Sequence, residues 1–251
     1  MAEVGRDSRA AKGVVVAVLV VAKLSAAGCA PPCERGLFAW TDDGRAIEPW
    51  EIKGSGYELA FGGEVLLSVC PGTWEGTLHV VGEDGRLTIE PEGGGVAVLD
   101  AGGAPGVLQA TGTGTLALRG LTLRGGVASR EPEGRTCGGA LYTALGTTLL
   151  DAVTLEDNHA WMGGAICPGE DSAIQIQDSL VVRNTSGGGG GVVLAVPGVT
   201  LESRATSWGV GDDDNTPDDV VLFGEHLDLI GEYSYGDDAD FMCDYDAGGC
   251  E

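Results

Sequence analysis

Positive charge is what this chain has least of. Against 38 Asp and Glu stand only 14 Lys and Arg, a net charge of −24 over 251 residues. Such a surface repels phosphate backbones and anionic lipid headgroups, so nucleic acid is excluded as a partner. Histidine is scarce as well. His79, His159 and His226 lie far apart, without the spacing that gathers a zinc ion. No Gly-x-Ser-x-Gly turn is present to raise a serine nucleophile. Helix formers in amphipathic spacing are few beyond residue 60, and the apolar run at 14–22 is too short to span a bilayer.

Glycine, by contrast, is abundant: 44 residues, far above the usual share of roughly 7%. The glycines follow no Gly-X-Y period, which removes collagen, and they fall in pairs between apolar runs. One line recurs. Gly138-Gly139-Ala140-Leu141 returns 25 residues on as Gly163-Gly164-Ala165-Ile166, and 27 further as Gly190-Gly191-Val192-Val193. Between these, the stretch 149–158 ending in Asn158 aligns at an offset of 26 with 175–184 ending in Asn184. Short apolar or alternating runs at 65–70, 77–81, 87–90, 96–100, 107–110 and 116–124 are bounded by Gly, Pro and acidic residues, as strands are. An antiparallel sandwich gives the same local signal. The repeat separates the two, because a period of this size built of β-type runs signals a solenoid. Three short strands and three turns fill one coil, and parallel stacking sets equivalent residues about 4.8 Å apart. Stacked Asn158 and Asn184 are expected to form a hydrogen-bonded ladder along the axis, and Asp157 and Arg183 fall into register. Residues 127–136 widen one coil and are expected to emerge as a solvated loop.

The N-terminus reads as an export signal: Arg6, Arg9 and Lys12 precede the apolar run, and Ser25-Ala26-Ala27-Gly28-Cys29 follows as a small-residue cleavage zone. Two processing routes stay open. Ala26-Ala27-Gly28-Cys29 resembles a bacterial lipobox, in which the cysteine is lipid-modified and becomes the first mature residue, with Ala26 where that motif favours Leu. Ordinary cleavage after Ala27 would release a free secreted product. Cysteine parity favours the lipoprotein. Seven cysteines (29, 33, 70, 137, 167, 243 and 250) leave one unpaired in an oxidising compartment, and lipidation of Cys29 accounts for it. Cys33 with Cys70, Cys137 with Cys167, and Cys243 with Cys250 are then the expected disulfides. The middle pair is awkward: one coil after Cys137 stands Met162, and Cys167 falls over Tyr142, so the bond must cross a corner. The resembled lipoproteins carrying Ala rather than Asp after the cysteine, as Ala30 does here, go to the outer membrane. The expected division is signal peptide 1–28, anchor segment and N-terminal cap 29–63, solenoid 64–225, and acidic disulfide-stapled C-terminal cap 226–251. Removing residues 1–28 leaves 10 basic and 36 acidic residues.

The Gly-Gly-Ala-Ile and strand-Asn units resemble the repeats of chlamydial polymorphic outer membrane proteins, within the wider pectin-lyase-like group that includes pectate lyases. The line from Trp208-Gly209 through Asp214-Asn215-Thr216-Pro217-Asp218-Asp219-Val220 resembles the closing coils of myxobacterial β-helix surface lipoproteins. This likeness covers roughly 64–225 and implies an all-β fold, a single-stranded right-handed parallel β-helix with caps at both ends. It supports fold more than function, since such folds host both lyases and inert adhesins.

A polysaccharide lyase abstracts a proton α to a carboxylate, using an Arg or Lys base and Ca²⁺ held by carboxylates. Arg119, Arg124, Arg183 and Arg204 are the candidate bases, yet the carboxylates cluster apart, at Asp212-Asp213-Asp214 and Asp218-Asp219. No lyase signature is present. Asp212-x-Asp214-x-Thr216 and Asp244-x-Asp246-x-Gly248 alternate oxygen ligands as Ca²⁺ sites do, without the closing Glu of an EF-hand, which makes Asp212, Asp214, Asp244 and Asp246 candidate Ca²⁺ ligands. Trp74, Trp161 and Trp208 are the candidate stacking platforms for a sugar. The expectation is an exported, lipid-anchored, non-catalytic scaffold at the outer membrane or cell surface, presenting loops to a glycan or protein. The alternatives are a lyase-like enzyme, intact or degenerate, and a glycan-binding module.

Overall fold

The computed structural model describes residues 37–41, 46–47, 50–52, 56–128, 137–187, 193–195, 199–216, 218–222 and 241–243. All belong to one compact unit, Cys33–Glu251. Among them no helix is long and apolar enough to cross a membrane.

Alternation along each strand decides which side chains turn inward. In Ala173–Gln177, Ile174 and Ile176 are buried while Gln175 and Gln177 are exposed, the period of two that a half-buried strand requires. Between Gly56 and Leu222 each strand pairs with a strand further away along the chain rather than with its neighbour in sequence. Thr147–Asp151 runs parallel to Ala173–Gln177, with Thr147 opposite Ala173 and Asp151 opposite Gln177. The described strands form a fifteen-stranded sheet, a five-stranded sheet and a three-stranded sheet, so the fold is all-β, mostly parallel and strongly curled.

The largest sheet is two ladders joined at one end. Ladder I stacks Leu108–Gly112, Leu141–Ala144, Ile166–Pro168, Val193–Ala195, Val220–Leu222 and Phe241–Cys243. Ladder II stacks Thr115–Arg119, Thr147–Asp151, Ala173–Gln177 and Thr200–Arg204. The long strands Gly56–Val69 and Thr77–Pro91 run through both. Ladder III holds Gly72–Glu75, Ala97–Asp100, Leu121–Arg124, Thr154–Glu156 and Leu180–Val182. Ladder IV is short, with Val127–Ala128, His159–Ala160 and Thr185–Ser186. A coil therefore carries four strand positions where three were expected. Two-residue strands contain too few residues to show an alternation in the sequence.

Inward side chains stack in columns. On ladder II one column reads Val65, Leu87, Leu116, Thr148, Ile174 and Leu201, all buried. Each buried aliphatic side chain contributes about 1.5–3 kcal/mol. Thr148 interrupts this apolar column without an orphaned hydroxyl, because its Oγ1 lies 2.7 Å from Oγ1 of buried Thr143.

The Gly-Gly-Ala line now has a physical reading. Gly138 and Gly163 have φ of 75° and 54°, the left-handed region. At Gly139 a β-carbon would overlap the Gly164 carbonyl and the His159 backbone, so the second glycine permits close approach of two chain segments. Ala140 and Ala165 then enter the core fully buried. The line stacks on itself through Gly138 N–H to Gly163 O (3.0 Å), Gly139 N–H to Gly164 O (3.1 Å) and Ala140 N–H to Ala165 O (3.0 Å). Its third copy, at 190–193, lies largely outside the described residues.

Parallel pairing begins at Gly56, within the stretch expected to form the N-terminal cap. Ahead of it, Leu37–Thr41 pairs antiparallel with the second half of Gly56–Val69, and Trp50–Ile52 with its start. Leu37–Thr41 thereby occupies the first edge of ladder II, where an unpaired row of backbone groups would invite a foreign strand. The loop expected from residue 127 starts later, since Val127–Ala128 pairs with His159–Ala160. Residues 129–136 lie outside the described residues. Within the expected C-terminal cap, Phe241–Cys243 extends ladder I.

Candidate functional site

Two corners hold the polar machinery of the described residues. Between ladders III and IV the chain turns through single left-handed residues, Gly125, Asp157 and Arg183. The residue that follows each of the latter two is a buried asparagine. Asn158 Nδ2 donates to Asn184 Oδ1 at 2.9 Å, and Asn184 Nδ2 donates to Asn215 Oδ1 at 3.0 Å. Each amide also serves the backbone that the turn leaves open. Asn184 Nδ2 reaches the carbonyls of Val182 and Leu155, while its Oδ1 accepts from Asn158 N–H. The ladder has two defined ends. Gly126 N–H donates to Asn158 Oδ1, and a β-carbon at Gly126 would overlap the Gly139 carbonyl, so that coil takes no amide. At the far end Asn215 Nδ2 donates to Asp219 Oδ1 at 2.7 Å. The place of Asn215 and Asp219 in the ladder is hidden in the sequence because Asn215 stands 31 residues beyond Asn184, the coil being lengthened by the 3-10 turn Gly211–Asp213.

Arg183 gathers more carboxylates than its register with Asp157 foretells. Its Nε and Nη2 both bond Asp157 (2.9 and 3.1 Å), Nη2 also bonds Glu156 Oε2 (2.9 Å), and Nη1 bonds Asp213 Oδ1 (2.9 Å). The hydrogen bonds it donates to Asp157, then the one to Asp213, raise the guanidinium pKa still further above its ordinary value. That is the opposite of what a proton-abstracting base needs. Arg124 is committed to Asp100 at 2.8 Å, and Arg204 pairs with Glu202. The Gly102 backbone N–H, with Arg124, holds the Asp100 carboxyl below the usual Asp range despite partial burial.

The remaining candidates are scattered. Cys137 and Cys167 are disulfide-bonded with Cα atoms 5.6 Å apart. Cys137 bridges to Met162 and Cys167 pairs with Tyr142, so this bond does cross the corner. Cys70 is also disulfide-bonded. Cys29, Cys33 and Cys250 lie outside the described residues, as does the side chain of Cys243. Among the described residues no three His, Cys, Asp or Glu side chains gather to hold a metal ion. Asp212 is exposed, and Asp214 Oδ1 accepts the N–H of Asn215 (2.9 Å); Asp244 and Asp246 lie outside the described residues. Trp208 is 1% exposed and packed in the core, which removes it as a sugar platform. Trp74 packs against the same core and donates its indole N–H to Cys70 O at 2.8 Å. Trp161 is half-buried.

One depression lies on the outward face of ladder II, where Arg86 and Arg119 border the exposed ends of Gln175 and Gln177. Sequence reasoning singled out Arg119 alone; the others emerge only when alternate residues of consecutive strands are set side by side. No family model, curated protein or solved structure matches this chain.

Proposed function

We propose that this chain is an exported right-handed parallel β-helix, a pectin-lyase-like rod that serves as a non-catalytic surface scaffold. The observation carrying this reading is the column arrangement itself. Strands one coil apart pair in register over successive coils, and an asparagine ladder runs beside an interior filled with side chains. Right-handedness follows the general preference of parallel crossovers. A rod so built spends its buried groups on its own cohesion and leaves its outward faces and loops for contact. Commitment of Arg183 to three carboxylates supports the non-catalytic reading over the lyase.

Attachment to the outer membrane falls to Cys29, with the six other cysteines available for disulfides. The test is acylation of the full chain in a Gram-negative host fed labelled palmitate. Wild type should carry label and Cys29→Ser should not. An unlabelled wild type would discard the anchor. A rise in ultraviolet absorbance on incubation with uronate polymers would overturn the non-catalytic assignment.

A further inference from the structure

The first coil is covered unevenly. Leu37–Thr41 and Trp50–Ile52 both lie antiparallel along Gly56–Val69, so the first edge of ladder II and the start of ladder I carry added strands. Ladder III has no such cover among the described residues. Its first strand, Gly72–Glu75, ends the five-stranded sheet and pairs with Ala97–Asp100 alone. Successive residues of a strand turn their backbone groups to opposite sides. Gly72 N–H and Gly76 N–H donate to the Val96 and Asp100 carbonyls, each at 2.9 Å, and Trp74 between them faces the same way. The N–H and C=O groups of Thr73 and Glu75 therefore point off the end of the sheet. Gly72, Thr73 and Glu75 are all exposed, as residues of an open edge are.

An open edge is a template for one more strand, and its side chains decide which strand fits. Nothing in Gly72–Glu75 blunts the pairing: it holds no Lys or Pro, and its register with Ala97–Asp100 is unbroken. Gly72 and Trp74 stand opposite buried Ala97 and Leu99, on the inner side. Trp74 packs against the core and is held there by its indole hydrogen bond to Cys70 O. Thr73 and Glu75 lie on the outer side, beside Val98 and Asp100. A strand laid on this edge would thus meet an aromatic ring on one face and an exposed carboxylate on the other. Glu75 is the only charge on the strand. It repels a second copy of this chain, itself at net −24, and attracts a cationic partner.

We propose that Gly72–Glu75 accepts an extended basic peptide, alternately apolar and cationic, by strand addition. Its main chain bonds the free groups of Thr73 and Glu75, its apolar residues cover Trp74, and a Lys or Arg sits beside Glu75. The site goes beyond the scaffold reading and needs neither export nor anchoring.

The test is NMR titration of the isotope-labelled full chain with the peptide acetyl-VKVKVK-amide, with acetyl-VEVEVE-amide as the acidic match. Saturable binding of the basic peptide is expected with Kd on the order of 0.1–1 mM, the modest affinity a four-residue edge can reach. The acidic peptide should bind at least about tenfold more weakly. Amide hydrogen exchange reads the geometry directly. Without peptide, the Thr73 and Glu75 amides should exchange at least about tenfold faster than that of Trp74; saturation with the basic peptide should slow those two and leave Trp74 as it was. Glu75→Lys changes one exposed side chain and should reverse the preference between the peptides. If that variant melts differently from wild type, the wild-type chain and modified peptides decide instead. N-methylating alternate amides should abolish binding in one set, on the valines or on the lysines, and spare it in the other, because one row of amides faces the edge. Absence of saturation, unchanged exchange at Thr73 and Glu75, preference for the acidic peptide, or equal behaviour of the two methylated sets would each overturn the proposal. So would protection of Thr73 and Glu75 that rises with protein concentration alone, which would make the occupant a second copy. None of these results touches the acylation test of the scaffold reading, so the two fail separately.

Discussion

Arg183 occupies a backbone conformation that most side chains avoid. Its φ of 53° lies in the left-handed region, which costs a non-glycine residue roughly 1–2 kcal/mol. What offsets that cost is position: the corner aims the guanidinium at Glu156 and Asp157 of one coil and Asp213 of the next. Arg183→Ala keeps the strained corner and leaves three carboxylates facing one another. It should lower stability by about 1–2 kcal/mol in low-salt urea denaturation. Arg183→Gly removes the same ion pairs but relieves the corner, and should lose about 1 kcal/mol less. The groups are partly exposed, so both deficits should shrink in about 1 M salt, where screening acts within a few ångström. A deficit that grows with salt would contradict this account. Register made Asp157 legible as a partner. Glu156 and Asp213 were not, because reach across a corner depends on where a side chain points, and spacing carries no record of that.

The asparagine ladder shows how an element can be partly visible in sequence. Asn158 and Asn184 stand out because their coils are equal in length and both follow a strand ending at the same column. Asn215 is hidden by the longer coil that holds Gly211–Asp213, and the other end is hidden because glycine replaces the amide there. Ladder IV is invisible for a related reason: its pairs of residues are too short for any period. Asn184 is the middle rung. Its replacement by Ala removes the acceptor of Asn158 Nδ2 and of Asn158 N–H, and takes a buried donor from the Leu155 and Val182 carbonyls. We expect Asn184→Ala to cost about 2–4 kcal/mol, more than a single hydrogen bond, because several buried groups lose partners at once. Chemical denaturation with unchanged m-value would measure it, and a loss below about 1 kcal/mol would show that the rungs do not act together.

At the scale of the molecule, the repeat made parallel coils legible, while caps and coil boundaries were harder to place. Gly62-Gly63 and Gly82-Glu83-Asp84-Gly85 read as breaks in the sequence, yet Gly56–Val69 and Thr77–Pro91 bend through two ladders as unbroken strands. The Cys137–Cys167 bond ties neighbouring coils at the corner where the chain length varies, enclosing 30 residues of separation. Opening it by Cys137→Ser with Cys167→Ser should cost about 2–4 kcal/mol under thermal or urea unfolding. The far-ultraviolet β signature should persist under native conditions, since the core columns do not pass through these sulfurs. Loss of that signature would make the bond a condition of folding rather than a brace.

From Arg119 onward the corner between ladders II and III keeps one length, whereas the preceding passage is lengthened by the 3-10 turn Glu92–Gly94. Each passage from Arg119, Asp151, Gln177 or Arg204 runs through one left-handed residue (Gly120, Ala152, Asp178 or Ala205) before the chain enters ladder III. The opposite side behaves differently. Eight residues separate Ala128 from Cys137, whereas one separates their partners Ala160 and Met162, yet both flanks stay in register. Over these later strands the curled sheet therefore has a fixed spine and an open margin. Foreign peptide spliced into that margin would ride on the coil without disturbing it, whereas a residue added at the shared turn would cost that coil the one left-handed corner its neighbours stack on. Novelty in such a molecule accumulates along one edge, where a descendant or a designer can rewrite one margin while the stacked strands stay as they were.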